Sequence, residues 1–297
     1  MDLKHKIGQI MKTTNHIKGI IFILLAAFGF SLMTFFVRIS GDLPTMQKVF
    51  FRNSVALIVA VSVMIRSKEK IVVGKGNRLG LFLRCFFGTT GVICNFYAID
   101  RLGIADANML NKLSPFFAIL LSIVILKEIP NKFDIITTVI AFIGALFIIR
   151  PTGAVSSFFP AIMGLIGGFG AGAAYVFVRK ISNNGVKTPV IVAGFSLFSC
   201  LVTLPFLIFD YSPMSLKQLG FLVMAGVAAS LGQFSITTAY KYAPAKEISV
   251  FDYTQVIFAA LLGFAFFGEI PVALSFVGYG IIITVAVIRW NRNRKID

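Results

Sequence analysis

Ten apolar segments, each about as long as a bilayer is thick, constrain this chain more than any other feature. A helix needs about 20 mostly apolar residues to cross about 30 Å of hydrocarbon. Such runs lie near 19–37, 46–65, 79–99, 107–126, 134–149, 161–178, 189–209, 219–240, 248–267 and 272–290. They lack the alternating pattern of a membrane β-barrel, and with only 13% charged residues the chain could not cover a soluble surface. The sequence therefore predicts an all-α polytopic membrane protein with ten transmembrane helices.

Basic residues are unevenly distributed between these runs. Ten crossings place both termini on one side of the membrane, and 20 of the 28 Lys and Arg residues then flank that side. Six, Lys112 among them, fall on the other side, and Arg52 and Arg84 lie inside runs. Because cytoplasmic loops carry the excess of basic residues, we expect both termini in the cytoplasm and the chain in the plasma membrane. This pattern also explains the net charge of +16 without a nucleic-acid partner.

The two halves of the chain resemble each other. At a shift of 141 residues, 98–130 lies over 239–271 without a gap, and Glu-Ile-Pro recurs at 128–130 and 269–271. Gly91 and Gly232 match at the same shift. The predicted organisation is a basic N-terminal segment, two five-helix repeats and a basic C-terminal tail, with the bounds 1–18, 19–150, 159–290 and 291–297.

The number of spans in each repeat indicates how the halves are related. Two copies of a unit with five spans enter the membrane from opposite sides, because five is odd. The sequence therefore predicts inverted repeats, an architecture that secondary transporters use to alternate between two states of similar energy.

Several motifs resemble EamA-type transporters of the drug/metabolite transporter superfamily, over roughly residues 19–290. The motifs are Arg84-Cys85-Phe86-Phe87-Gly88, Phe96-Tyr97-Ala98-Ile99, Ala105-Asp106-Ala107, Leu113-Ser114-Pro115-Phe116-Phe117 and Lys127-Glu128-Ile129-Pro130. The resemblance implies ten helices in two inverted five-helix units, and transport of amino acids, nucleotide-like metabolites, vitamins or drugs without ATP. Val256 stands where the first half has Pro115, so a helix break is expected in the fourth span only.

Charged residues inside spans are the first candidates for a substrate or coupling site. A charge at mid-membrane costs about 2.5 kcal/mol or more, so it normally faces a protein-lined cavity. Asp252 is the one acid clearly inside a predicted span. It either couples protons, binds an amine, partners a buried arginine or lies near enough to the start of the ninth span to be hydrated. The third and ninth spans both start on the cytoplasmic side, and Arg84 and Asp252 lie at similar depths within them. We therefore expect these two side chains to face each other. Arg52 either guides an anionic group or snorkels to the interface.

Neutral polar residues extend this set of candidates. Asn111 is equivalent to Asp252 at the repeat shift, and polar residues at helical spacing mark one face of several other spans. The further candidates are Asn95, Asn111, Tyr175, Gln233, Thr237 and Gln255. For each of them, a hydrogen bond that merely joins two helices is the alternative role.

Signs of an enzyme or a cofactor are lacking in the sequence. His5 and His16 lie before the first predicted span, so no histidine is available inside the membrane for metal or acid–base chemistry. Gly164, Gly168 and Gly172 lie within a span and indicate a close-packing face rather than a phosphate loop. Glu128 and Glu269, at span ends, are interpreted as helix-terminating positions. We therefore expect no catalytic residue, no metal and no cofactor.

The favoured function is secondary active transport across the plasma membrane by alternating access, coupled to protons or to exchange. A paired acid and base in an aromatic cavity suit a small amphiphilic or zwitterionic metabolite, such as an amino acid or a related compound. A lipid flippase of the same fold is the alternative. The expected partners are the bilayer and a small-molecule substrate, and the oligomeric state is left open.

Overall fold

The computed structural model describes residues 2–68, 72–102, 104–149, 158–268, 270 and 273–295. Every regular element in this part of the chain is helical. The α-helices are α1 (Asp2–Ile39), α2 (Thr45–Arg66), α3 (Arg78–Leu102), α4 (Ile104–Asn111), α5 (Ser114–Leu126), α6 (Lys132–Ile149), α7 (Phe158–Asn183), α8 (Thr188–Phe209), α9 (Leu216–Tyr242), α10 (Ala245–Ile248), α11 (Thr254–Phe267) and α12 (Ala273–Lys295). Short 3-10 helices lie at Lys75–Asn77 and Ser249–Tyr253.

Eight helical segments of the described chain are long and apolar enough to cross a membrane. They are Asn15–Ile39, Thr45–Arg66, Lys75–Ile99, Phe158–Asn183, Thr188–Phe209, Leu216–Tyr242, Ala245–Phe267 and Ala273–Arg292. Large apolar side chains on their outer faces are exposed, as a lipid-facing surface requires. The chain is therefore an all-α, multi-pass membrane protein.

The remaining two predicted runs differ from this simple pattern. The run near 107–126 is divided between α4 and α5, and neither piece alone reaches the length of a span. The run near 134–149 forms α6, which has Lys132 and Asp134 in its first turn.

Helix breaks occur in both halves, so the expectation of a break in the fourth span only is wrong. Between α4 and α5, Pro115 stands in the first turn of the new helix, where its missing N–H costs nothing. The second break has no proline, and side chains bond to carbonyls of its 3-10 helix in addition to the Thr254 backbone N–H. The Thr254 hydroxyl donates to the Phe251 carbonyl at 2.7 Å, and the Lys112 ammonium lies 3.3 Å from the Asp252 carbonyl.

The main helix pairs each join the first half of the chain to the second. α1 packs along α9, α3 along α7, α2 along α8 and α6 along α12. Glycines allow two of these pairs to approach closely: a Cβ on Gly29 of α1 would lie 2.7 Å from the Gly232 nitrogen of α9. A Cβ on Gly170 of α7 would lie 2.9 Å from Cα of Gly91 in α3. Side chains at these positions would push the helices apart.

A third glycine-lined contact confirms the close-packing face predicted in the sixth span. Cβ atoms on Gly164 and Gly168 would meet Leu110 of α4, and one on Gly172 would lie 2.7 Å from the Ser114 carbonyl of α5. The glycines of α7 therefore bring the interrupted helix close to the centre of the bundle.

Candidate functional site

A cavity of about 110 Å³ lies among α1, α2, α3, α7 and α9, beside both helix breaks. Eight of the nine candidate residues from the sequence line it: Arg52, Arg84, Asn95, Asn111, Tyr175, Gln233, Asp252 and Gln255. Thr237 is not among its lining residues; it is fully buried in α9, and no described group bonds to its hydroxyl. Residues far apart in sequence are thus brought together at the contact between the two halves.

This inner cavity continues into an outer cavity of about 420 Å³. Thr34, Asn108, Lys112 and Gln255 line both spaces and mark the passage between them. The outer cavity reaches the ends of α1 and α11, where the Arg38 guanidinium lies 4.0 Å from the centre of the Phe267 ring. The site is therefore approached from the end of the bundle where these two helices finish.

Asp252 is paired with Lys112 rather than with Arg84, so the expected contact between Arg84 and Asp252 is replaced by a different ion pair. Nζ of Lys112 lies 2.9 Å from Oδ2 of Asp252 and 2.6 Å from Oε1 of Gln255. Both charged side chains are buried. The pair connects the break between α4 and α5 with the 3-10 helix before α11.

Lys112, which the charge count assigns to the outer side of the membrane, therefore lies in the cavity wall. Its position in the sequence did carry a signal, because it falls five residues inside the run near 107–126, next to Asn111. The argument from depth does not pair Lys112 with Asp252, because the predicted fourth and ninth spans start on opposite sides of the membrane. Phe195, which lies against the Arg84 guanidinium, was also missed, since one phenylalanine among 32 carries no distinguishing pattern.

Arg84 is held in place by its neighbours in the cavity wall. Nη2 donates to Oε1 of Gln233 at 2.9 Å, and the guanidinium lies 4.3 Å from the centre of the Phe195 ring. Gly88, one turn later on α3, leaves room for the guanidinium, because a Cβ there would collide with Nη1. These contacts fix the orientation of the guanidinium without neutralising its charge.

Arg52 is 2% exposed and lines the same cavity, so the snorkelling interpretation is wrong. No group in the described part of the chain accepts a hydrogen bond from its Nε or Nη1. Nε of Arg84 is likewise buried without a partner among the described residues. Unpaired polar groups at this depth are costly, and in membrane proteins they usually mark a functional site.

At the opposite end of the bundle, two ion pairs and a hydrogen bond between His16 and Glu247 join the two halves. Glu128 lies 2.6 Å from Arg179, Asp134 lies 3.1 Å from Arg289, and His16 lies 2.8 Å from Glu247. His16 and Glu247 belong to helical segments whose other ends border the outer cavity. The bundle is therefore tied together at the end remote from the cavity opening.

Two sequence interpretations concern residues in this region. α5 ends at Leu126, close to Glu128, and the Glu128 carboxylate also serves as the acceptor for Arg179. Glu269, its counterpart in the second half, lies outside the described residues. The sequence places His16 before the first span, whereas in the structure it lies in the first candidate span and bonds to Glu247.

A sequence model of the EamA-like transporter family matches the chain twice, over residues 17–150 and 158–289. The pseudopaline exporter CntI of Pseudomonas aeruginosa is 33% identical over 280 residues, which cover 93% of this chain and 97% of the exporter. The mouse solute carrier family 35 member G1 is 26% identical over 298 residues, covering 93% of this chain and 80% of the carrier.

The fold also has a match among solved structures. One crystal structure aligns with a TM-score of 0.81 over 94% of this chain and 97% of the other, at 14% sequence identity. At that identity the likeness concerns the fold alone.

Proposed function

Since this chain belongs to the EamA-like transporter family, we propose that it is a secondary active transporter for a small metabolite. It is a membrane transporter of the drug/metabolite type, and its relatives are transporters rather than enzymes. Transport proceeds by alternating access in the plasma membrane, with both termini in the cytoplasm. Protons or a counter-transported solute supply the driving force.

The observation that carries this proposal is a charged cavity between the two halves, open toward one end and tied shut at the other. A carrier of this type exposes one central site to each side in turn, as its halves rock against each other. The cavities on the Arg38 side and the ion pairs around Glu128 correspond to one of the two states. The other state requires those ion pairs to separate.

The arrangement of helices supports two inverted repeats of five spans each, with α4–α5 and α6 as the fourth and fifth spans. Exchanging the halves turns the α1–α9 pair into the α7–α3 pair, and the α2–α8 and α6–α12 pairs into themselves. The close glycine contacts obey the same exchange. Gly29 corresponds to Gly170 and Gly91 to Gly232, each at the shift of 141 residues.

The Lys112–Asp252 pair is the best candidate for coupling. It connects the two helix breaks and lines the passage to the outer cavity, so a proton or a charged solute reaches it there. Separation of the pair by the incoming ion would change contacts at both breaks at once. This role explains why two opposite charges are present in the membrane, although apolar residues at these positions would carry no desolvation penalty.

Counterflow tests the proposal. Proteoliposomes containing the purified protein are loaded in turn with L-malate, glycerol 3-phosphate, L-leucine or putrescine, and uptake of the same labelled solute is followed. A carrier takes up label faster into loaded vesicles than into empty ones, because the returning site carries solute. Protein-free liposomes are the control.

Two outcomes would contradict the proposal. Uptake that is equal in loaded and empty vesicles, and above that of protein-free liposomes, would indicate a channel. Transfer of a fluorescent phospholipid between leaflets, without counterflow of any of these solutes, would instead support the flippase alternative.

A further inference from the structure

We propose that the inner cavity binds a small organic dianion, whose negatively charged oxygens contact Arg52 and Arg84. This inference rests on the proposed function and names the class of substrate. The double charge is carried either by two carboxylates or by one phosphate monoester. Both present oxygen atoms that suit the planar fork of a guanidinium.

The balance of charges in the cavity wall carries the argument. The described lining holds three cations, Arg52, Arg84 and Lys112, and one carboxylate, that of Asp252. Asp252 is already engaged by Lys112 at 2.9 Å. Neither arginine has a carboxylate within ion-pair distance among the described residues, so two positive charges stay without a counter-charge from this part of the chain.

The position of the two guanidiniums indicates that the missing charge belongs to a ligand. Both arginines are 2% exposed and line the same cavity. The Nε of each has no hydrogen-bond acceptor among the described residues. A structural arginine at such depth is normally neutralised by the protein, because a buried unpaired charge is strongly unfavourable. Here Gln233 and the Phe195 ring hold Arg84 in place but leave its charge to be matched.

A third unpaired atom adds a feature to the expected ligand. Asn95 lines the same cavity, and its Oδ1 is buried without a donor among the described residues. An acceptor in this position suits a hydroxyl or amino group on the ligand. We therefore expect a dianion that also carries a hydrogen-bond donor.

Ligand-induced stabilisation of the purified, full-length protein tests this inference, because a ligand that binds the folded state raises the melting temperature. Four probes form matched pairs: L-malate with L-lactate, and glycerol 3-phosphate with glycerol. We expect at least one dianion to raise the melting temperature and its partner of lower charge to have a much smaller effect. The two dianions distinguish a carboxylate from a phosphate ligand.

Variants connect the effect to the arginines. Arg52→Gln and Arg84→Gln should each weaken dianion binding at least 10-fold, whereas Arg101→Gln, at an exposed side chain near the end of α3, should leave it unchanged. Arg52→Lys and Arg84→Lys keep the charge and serve if the glutamine variants fail to fold. They should bind more weakly than the wild type, because an ammonium lacks the fork.

The inference is overturned if neither dianion stabilises the protein, or if binding persists unchanged in the arginine variants. Counterflow separates this failure from that of the proposed function. Exchange of leucine or putrescine without dianion binding would leave a transporter with a different substrate. A dianion that binds but shows no counterflow would overturn transport and leave the binding site.

Discussion

At the scale of single residues, the ammonium of Lys112 shows how a membrane protein accommodates a charge. It has three acceptors, the carboxylate of Asp252, the Asp252 carbonyl and the side chain of Gln255. The Tyr253 hydroxyl also donates to the Lys112 carbonyl at 3.1 Å. Because this lysine is fully satisfied by the protein, it differs from Arg52 and Arg84, which line the cavity and each have a buried Nε without an acceptor among the described residues.

A double-mutant cycle tests the coupling of this pair. Lys112→Ala or Asp252→Ala alone should lower the free energy of unfolding by about 3–5 kcal/mol, because each leaves a buried charge without its partner. The double variant should lose less than the sum of the single losses. Unfolding in detergent is the measurement, and Lys217→Ala, at an exposed lysine, is the control with an effect within about 0.5 kcal/mol. Additive losses would contradict a direct ion pair.

At the scale of elements, the interrupted helices separate what the sequence predicts from what it does not. Apolar runs and the repeat predict where helices lie and which polar residues share the cavity, because both follow from spacing along one chain. The choice of partner does not follow from spacing. Lys112 and Arg84 are both basic and both buried, and only the packing of the 3-10 helix against the break at α4 selects Lys112 for Asp252. Likewise, the second break lies at Ser249–Tyr253, before Val256, and without a proline it leaves no signal in the sequence.

The close helix pairs lead to a second prediction. Gly29→Val should destabilise the protein by about 1–3 kcal/mol, because its side chain would overlap the α9 backbone. Gly170→Val should cost a similar amount, since its Cβ meets the α3 backbone in the equivalent contact. Gly220→Val is the matched control, in α9 with open space around its Cβ position. Thermal unfolding in detergent gives the comparison, and equal melting temperatures for all three variants would contradict the close approach.

At the scale of the whole molecule, the contacts at the closed end form one connected network across the halves. Arg289 donates to the Lys246 carbonyl at 2.6 Å, and the Lys246 ammonium in turn donates to the Ile129 carbonyl at 2.9 Å. Arg179 contacts both Glu128 and the Tyr240 carbonyl. If the halves rock as a unit, these bonds must break together, so weakening one of them should favour the state that opens at this end.

Glu128→Gln provides that change, since it removes the charge that Arg179 contacts at 2.6 Å. If the state with this ion pair is destabilised by about 1–2 kcal/mol, the ratio of the two states changes by about 5–30-fold. Cysteines placed singly at Ala243, buried near this network, and at Ala260, in the outer cavity, report the two states in a background with Cys85, Cys94 and Cys200 replaced by serine. An impermeant maleimide should label position 243 faster from the cytoplasmic face and position 260 more slowly from the outer face.

In Glu128→Gln the labelling rate should rise at position 243 and fall at position 260. These opposite changes distinguish alternating access from a general loosening of the bundle. Asp42→Asn removes an exposed acid at the other end of the molecule and should leave both labelling rates unchanged. Faster labelling at both positions in Glu128→Gln would mean that the ion pair only stabilises the fold. Labelling of both positions from the same face would contradict alternating access, because position 260 lines the outer cavity and position 243 lies near the ion pairs at the opposite end of the bundle.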